Sequence, residues 1–176
     1  PQHRVNLSVS GGNERLKYYL SLGESHQSGH YKNGTTDVRL YNLRSNIDVQ
    51  VTKYLQVGMN LAGKVDDNHY PYFSTNETYS HIFLYLPSWQ PYWPGTDKLM
   101  PNRGSENIMN MVSDAGGTRD IKTTALQSTV SFKLDIPWVK GLWLDGSASY
   151  DAGYVFTKDF QTPDYVYYKD EKTGEL

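Results

Sequence analysis

Apolar and polar residues alternate with a period of two through most of the chain, the signature of strands that turn one face toward an apolar medium. Residues 3–10 set Val5, Leu7 and Val9 against Asn6 and Ser8. Gly11-Gly12-Asn13 follows as a tight-turn signal, because Gly and Asn tolerate positive φ. Residues 15–23 then set Leu16, Tyr18, Leu20 and Leu22 against Lys17, Tyr19 and Ser21, which predicts a β-hairpin. After a polar, Gly-bearing connection over 24–36, a long strand is predicted over 37–51. It places Tyr41, Leu43, Ile47 and Val49 opposite Asn42, Arg44, Asn46 and Asp48. A short turn at 52–54 leads into a fourth strand over 55–65. A second hairpin is predicted from strands over 121–136 and 142–156, joined by the turn 137–141.

The stretch 68–120 breaks this rhythm. Ser74-Thr75-Asn76-Glu77 has the form of a capping box, and Tyr79, Ile82, Phe83 and Leu86 recur at helical spacing behind it. Pro87 is expected to end that helix. A second helical turn is predicted over 106–113, and 164–168 is a candidate extra strand in a polar tail.

The predicted fold is therefore all-β, an antiparallel up-and-down meander. Its turns obey an asymmetry: 11–13, 52–54 and 137–141 are short, whereas 24–36, 68–120 and the tail are long. In a meander all the short turns fall at one end, which is the layout of an outer-membrane barrel. The strands match the roughly 9–11 residues that cross a bilayer at a tilt. A soluble sandwich with one buried face fits the alternation equally well. Six strands are too few to close a barrel, which needs about eight at the small end, so the barrel reading makes the chain a section of a wall.

Composition narrows the classes. In 176 residues there are 17 basic and 19 acidic side chains, a formal net charge of −2, so no basic excess argues for nucleic acid. No run of 18 apolar residues exists to form a membrane-spanning helix, a test that says nothing of strands. The absence of Cys excludes a disulfide scaffold and thiolate metal sites. The chain starts Pro1-Gln2-His3, with neither an initiator Met nor a signal peptide, and is expected to be a piece of something longer or processed.

The residues also carry a family resemblance. Val5-Asn6-Leu7-Ser8-Val9-Ser10-Gly11-Gly12, followed by Lys17-Tyr18-Tyr19-Leu20-Ser21-Leu22-Gly23, resembles the hairpin signature of SusC-like TonB-dependent outer-membrane transporters. Arg39-Leu40-Tyr41-Asn42-Leu43-Arg44-Ser45-Asn46, Thr52-Lys53-Tyr54-Leu55-Gln56-Val57-Gly58 and Val139-Lys140-Gly141-Leu142 resemble later motifs of that family, in order. Where the family often has Asn-Pro in its long loop, this chain has Asn107-Ile108. The resemblance implies residues 1–176 as part of the β-barrel domain, a wall of about 22 strands, with plug domain and barrel end lying outside this chain. It implies a bacterial outer-membrane importer of oligosaccharides or peptides. That importer would work with a SusD-like surface lipoprotein as lid and be driven by the TonB complex through the missing N-terminal region. Outer-membrane lipid would meet the apolar face, and the loop 68–120 would be extracellular. The competing expectation is a soluble all-β carbohydrate-binding module.

The chemistry of individual residues fits transport rather than catalysis. No nucleophile elbow or H-E-x-x-H occurs, and no enzyme activity, cofactor or metal is expected. The match of 58–64 to G-x-x-x-x-G-K lacks the following Ser or Thr and alternates as a strand, so a nucleotide is not expected. His26 and His30 are expected as exposed loop histidines, and Asp66-Asp67-Asn68 as a solvated loop edge. Sequons occur at Asn33 and Asn76, without meaning in a bacterial protein. Asn42, Arg44, Asn46 and Asp48 are the candidates for lining a wet lumen. Tyr70, Tyr72, Phe73, Trp89, Tyr92 and Trp93 gather around prolines. Such rings pack on the apolar faces of sugars, anchor protein partners, or form a small core of their own, here with Ile82, Phe83 and Leu86. Trp138, in a short turn, is expected as a membrane-interface anchor.

Overall fold

The computed structural model describes residues 1–31, 35–86, 88–102 and 106–175. Six strands form one antiparallel sheet in sequence order. They are β1 (Gln2–Gly12), β2 (Leu16–Ser28), β3 (Asp37–Gln50), β4 (Leu55–Pro71), β5 (Gly117–Asp135) and β6 (Trp143–Gln161). Between β4 and β5 lie helix α1 (Thr75–Leu84), the single-turn helix α2 (Ile108–Met111) and a 3-10 turn over Asp114–Gly116. The sheet is open: β1 and β6 are its edges. This all-β meander is the architecture the alternation predicts, and its open edges are consistent with a section of a barrel.

The strands run further than the alternation suggested. β2 continues to Ser28 and β4 to Pro71, while β5 begins at Gly117 and β6 ends at Gln161. Asp66-Asp67-Asn68 therefore lies inside β4 rather than at a loop edge, with Lys64 Nζ 2.7 Å from the Asp66 carboxylate. His26 lies inside β2, directly opposite His3 in the register, with their rings 5.0 Å apart. The G-x-x-x-x-G-K stretch is the middle of β4. Residues 164–168 do not form a strand.

Two compact units divide the chain. The first comprises Pro1–Gln27, Val38–Asp67 and Ile121–Phe156; the second comprises Ser28–Asp37, Asn68–Asp120 and Thr157–Leu176.

In the first unit the register pairs Leu7 with Leu22, Val9 with Leu20 and Ser8 with Ser21, so like faces like across β1 and β2. The polar face can be followed across neighbouring strands. Gly23 leaves room for Asn6 and Asn42, and Gly58 for Asp48 and Ser131; Thr129 and Ser149 hydroxyls hydrogen-bond at 2.9 Å. The apolar face has no cover among the described residues. Val5, Leu7, Val9, Leu126, Val130 and Phe132 are all at least 40% exposed, and Leu7 reaches 68%. A soluble module would bury these side chains; here the only fully buried hydrophobic among the described residues is Met111, in α2.

The short turns are held by side chains. Asn13 Oδ1 accepts from the amides of Arg15 (2.8 Å) and Leu16 (2.9 Å). Gly12 is needed for close approach rather than for a positive φ, since a Cβ there would meet the Leu16 carbonyl oxygen at 2.5 Å. Thr52 Oγ1 accepts from Tyr54 and Leu55 amides. The third turn uses Gly141 at φ 82°, and Trp138 in it is 82% exposed.

Candidate functional site

The second unit carries the site geometry. Helix α1 starts where the capping box predicts: Ser74 Oγ accepts from the Glu77 amide at 3.2 Å, and the Ser74 amide donates to Glu77 Oε2 at 2.8 Å. This fixes the chain direction immediately after β4 and lets Ser74, Thr75 and Tyr79 share a cavity with Tyr70, Tyr72 and Phe73. The cavity is about 390 Å³, and His30, Tyr31, Thr36 and Arg119 complete its polar and aromatic wall. Tyr72 is pinned three ways. Its amide donates to the Gly117 carbonyl at 2.9 Å, its ring meets Phe73 edge-on at 5.5 Å, and Arg119 lies over it at 5.7 Å. Arg119 is itself oriented by a fork: Nε donates to Asp159 Oδ1 at 2.8 Å and Nη2 to Oδ2 at 3.0 Å.

The structure splits the six sequence-identified aromatics. Tyr70, Tyr72 and Phe73 line the cavity; Trp89, Tyr92 and Trp93 do not. Trp89 meets Tyr85 edge-on at 5.8 Å, Tyr92 bridges to Leu99, and Trp93 Nε1 donates to the Tyr167 carbonyl at 2.8 Å. This second group is organised by Asn107, which is fully buried. Its Nδ2 donates to the carbonyls of Pro91 (2.8 Å) and Met100 (2.9 Å), while its Oδ1 caps α2 through the Met109 amide. Ile108 thus takes the first helical position, where Pro is equally acceptable. Ile82, Phe83 and Leu86 do not form the small core expected with these rings. All three are exposed, Phe83 to 86%. Pro87 and the Asn33 sequon lie outside the described residues.

Two polar clusters were not visible in the sequence. His69 Nδ1 lies 2.5 Å from Asp120 Oδ1, and its Nε2 lies 3.4 Å from Asp114 Oδ1. Near α2, the Asp164 carboxylate accepts from the Asn107 amide at 3.4 Å and from Asn110 Nδ2. Glu106 hydrogen-bonds Asp164, and this bond, burial and the Asp164 charge push the Glu106 carboxyl up to about 7, against a small opposing effect of His81. Among the described residues no group of three or more His, Cys, Asp or Glu side chains could hold a metal ion.

On the polar face of the first unit, Asn42 and Arg44 flank a hollow of about 440 Å³ with Tyr19, Ser21, Lys64 and Gln127. Asp48 lines a second hollow with Gln56, Ser131 and Asp145; Asn46 lines neither. No helix among the described residues is long and apolar enough to cross a membrane, which leaves strands untested.

An open antiparallel sheet with one uncovered apolar face and one polar face has the architecture of a barrel section. Comparison with known proteins agrees in class. No family model matches the chain. Over 126 residues, 67% of its length, the chain is 25% identical to the TonB-dependent receptor P26 of Formosa agariphila. The match covers 12% of that receptor, so the chain spans a small part of the relative's length. The similarity supports a place among TonB-dependent receptors and does not reach the SusC-like subgroup. The relative is by name a receptor rather than an enzyme.

Proposed function

We propose that this chain is a section of the barrel wall of a TonB-dependent importer in a bacterial outer membrane, of the SusC-like kind. The observation that carries the reading is the uncovered apolar face between two open edge strands. The distant similarity to a TonB-dependent receptor points the same way. Strand length supports it too. β5 and β6 have 19 residues each, and about 9–11 suffice to cross the hydrocarbon core. In this reading Val5, Leu7 and Val9 meet lipid, and Asn42, Arg44, Asn46 and Asp48 line the lumen. Trp138 anchors the short-turn interface, and the connection between β4 and β5 is extracellular. The cargo is an oligosaccharide or a peptide. A SusD-like lipoprotein closes the mouth, and the exposed Ile82, Phe83 and Leu84 of α1 offer it an apolar contact. TonB acts through a plug region outside this chain.

The test is fractionation and uptake by the parent protein. It should require detergent for extraction, sediment with outer membranes and co-purify with a surface lipoprotein, and its deletion should abolish growth on one glycan or peptide source. Recovery of the parent protein in aqueous buffer, with all its carbohydrate binding, would favour the soluble module instead.

A further inference from the structure

We propose that the cavity walled by Tyr31, Tyr70, Tyr72, Phe73, Tyr79 and Arg119 binds one neutral pyranose ring of an oligosaccharide. The inference rests on the importer reading and adds to it the residues that touch cargo.

The cavity volume, about 390 Å³, falls within the range of small-molecule sites. Five of its walls are aromatic rings from three separate stretches of chain, and its polar groups are few: His30, Thr36, Ser74, Thr75, Arg119 and the tyrosine hydroxyls. A pyranose matches that division, because its C–H faces are apolar and its hydroxyls project around the rim. A peptide's aromatic side chain would fill the same space but would offer no acceptors to the remaining N–H groups of Arg119 and His30, which a sugar's hydroxyls can meet.

Charge selects a neutral sugar. Among the described residues no carboxylate lines the cavity, so none of them offers a cationic ligand a partner. The single guanidinium is already held in its plane by Asp159 through Nε and Nη2. Because Asp159 already neutralises the guanidinium, an anionic sugar gains no net charge partner there and meets the Asp159 carboxylate nearby, whereas a neutral hydroxyl can accept from the remaining N–H groups at no electrostatic cost. The site is also preorganised. The capping box fixes the start of α1, and Tyr72 is held by Phe73, Arg119 and the Gly117 carbonyl, so these parts of the wall need little ordering on binding.

The experiment is isothermal titration of the full-length protein in detergent with maltohexaose, cellohexaose, laminarihexaose and mannohexaose, alongside hexagalacturonate. At least one neutral hexasaccharide should bind. Tyr79→Ala should weaken it about tenfold, Tyr72→Ala at least as much, and Trp89→Ala, outside the cavity, should leave it unchanged. Because Tyr72 also supports its neighbours, the exposed Tyr79 is the decisive variant. Absence of binding by every neutral glycan, an unchanged Kd in Tyr79→Ala, or tighter binding of hexagalacturonate overturns the proposal. The importer reading fails separately. A parent protein that imports glycan from the outer membrane with an unaltered Tyr79→Ala refutes the cavity alone. A water-soluble parent that binds a neutral glycan through Tyr79 refutes the importer alone.

Discussion

Leu7 offers the most direct test of what covers the apolar face. It sits near the middle of β1, opposite Leu22, and is 68% exposed. If lipid covers it, an Arg there carries its charge into the hydrocarbon, at a cost of about 2–4 kcal/mol near the midplane. Asn6 projects to the other face, beside Gly23 and Asn42, and an Arg there should change stability by less than about 0.5 kcal/mol. Val9 lies nearer the Asn13 turn, so Val9→Arg should cost less than Leu7→Arg, since the penalty falls to about 0–1 kcal/mol toward the interface. The assay is urea unfolding of the full-length protein in phospholipid vesicles. A water-exposed face predicts near-silence for Leu7→Arg, given its exposure. A packed protein core predicts large costs for Leu7 and Val9 with no gradient between them. Equal costs on the two faces, or no gradient along the strand, would refute the lipid-facing assignment.

Two further outcomes concern the second unit. Ser74→Ala removes the oxygen that accepts from the Glu77 amide and should cost about 1 kcal/mol; hydrogen exchange at the first-turn amides of α1 should accelerate while the sheet amides stay protected. The Glu106 carboxyl stands at about 7 in the folded chain against an ordinary value of 4.5. The protonated form donates to Asp164, so the stabilisation is fully present below pH 4.5 and is lost as pH rises through about 7. Limited proteolysis of the 106–110 region should therefore be slower at pH 5 than at pH 8, and Glu106→Gln, which keeps a donor, should flatten that difference. A pH response of equal size in Glu106→Gln would remove Glu106 as the cause.

The sheet was legible because each strand repeats one instruction many times. A single polar substitution does not hide an alternation carried by Leu7, Val9, Leu20 and Leu22 at once. Strand ends were not legible, because outside the apolar band both faces are polar. Residues 67–71 of β4 include Asp67, Asn68 and His69, and they stay extended because their backbone pairs rather than because a face is apolar. The opposite error arose at 164–168. Alternating Tyr and Val suggested a strand there, but the Tyr167 amide donates to Leu99 and the Tyr167 carbonyl accepts from Trp93, so its backbone groups serve the loop. Gly12 shows a third kind of gap: the residue type was informative, yet its reason, close approach to Leu16, required the fold.

The cavity was half legible for a related reason. Tyr70, Tyr72 and Phe73 stand out by composition, but Arg119 comes from the start of β5 and His30 and Tyr31 from the connection after β2, so only the meander brings them together. The spacing of Tyr79, Ile82, Phe83 and Leu86 predicts one helical face, with a small core for Ile82, Phe83 and Leu86 as one of its uses; Tyr79, Ile82 and Phe83 do lie on α1, whereas Leu86 falls beyond its end at Leu84. What failed was the step from an apolar stripe to a buried one. Periodicity states which side chains share a face; it does not state what covers that face. On α1 the answer is nothing among the described residues, and on β1 the answer is the same. Both faces are apolar in sequence and lack cover among the described residues; under the proposed function the cover is lipid for the strand and a protein or cargo surface for the helix. The Leu7 gradient and the Tyr79→Ala titration test those two assignments independently.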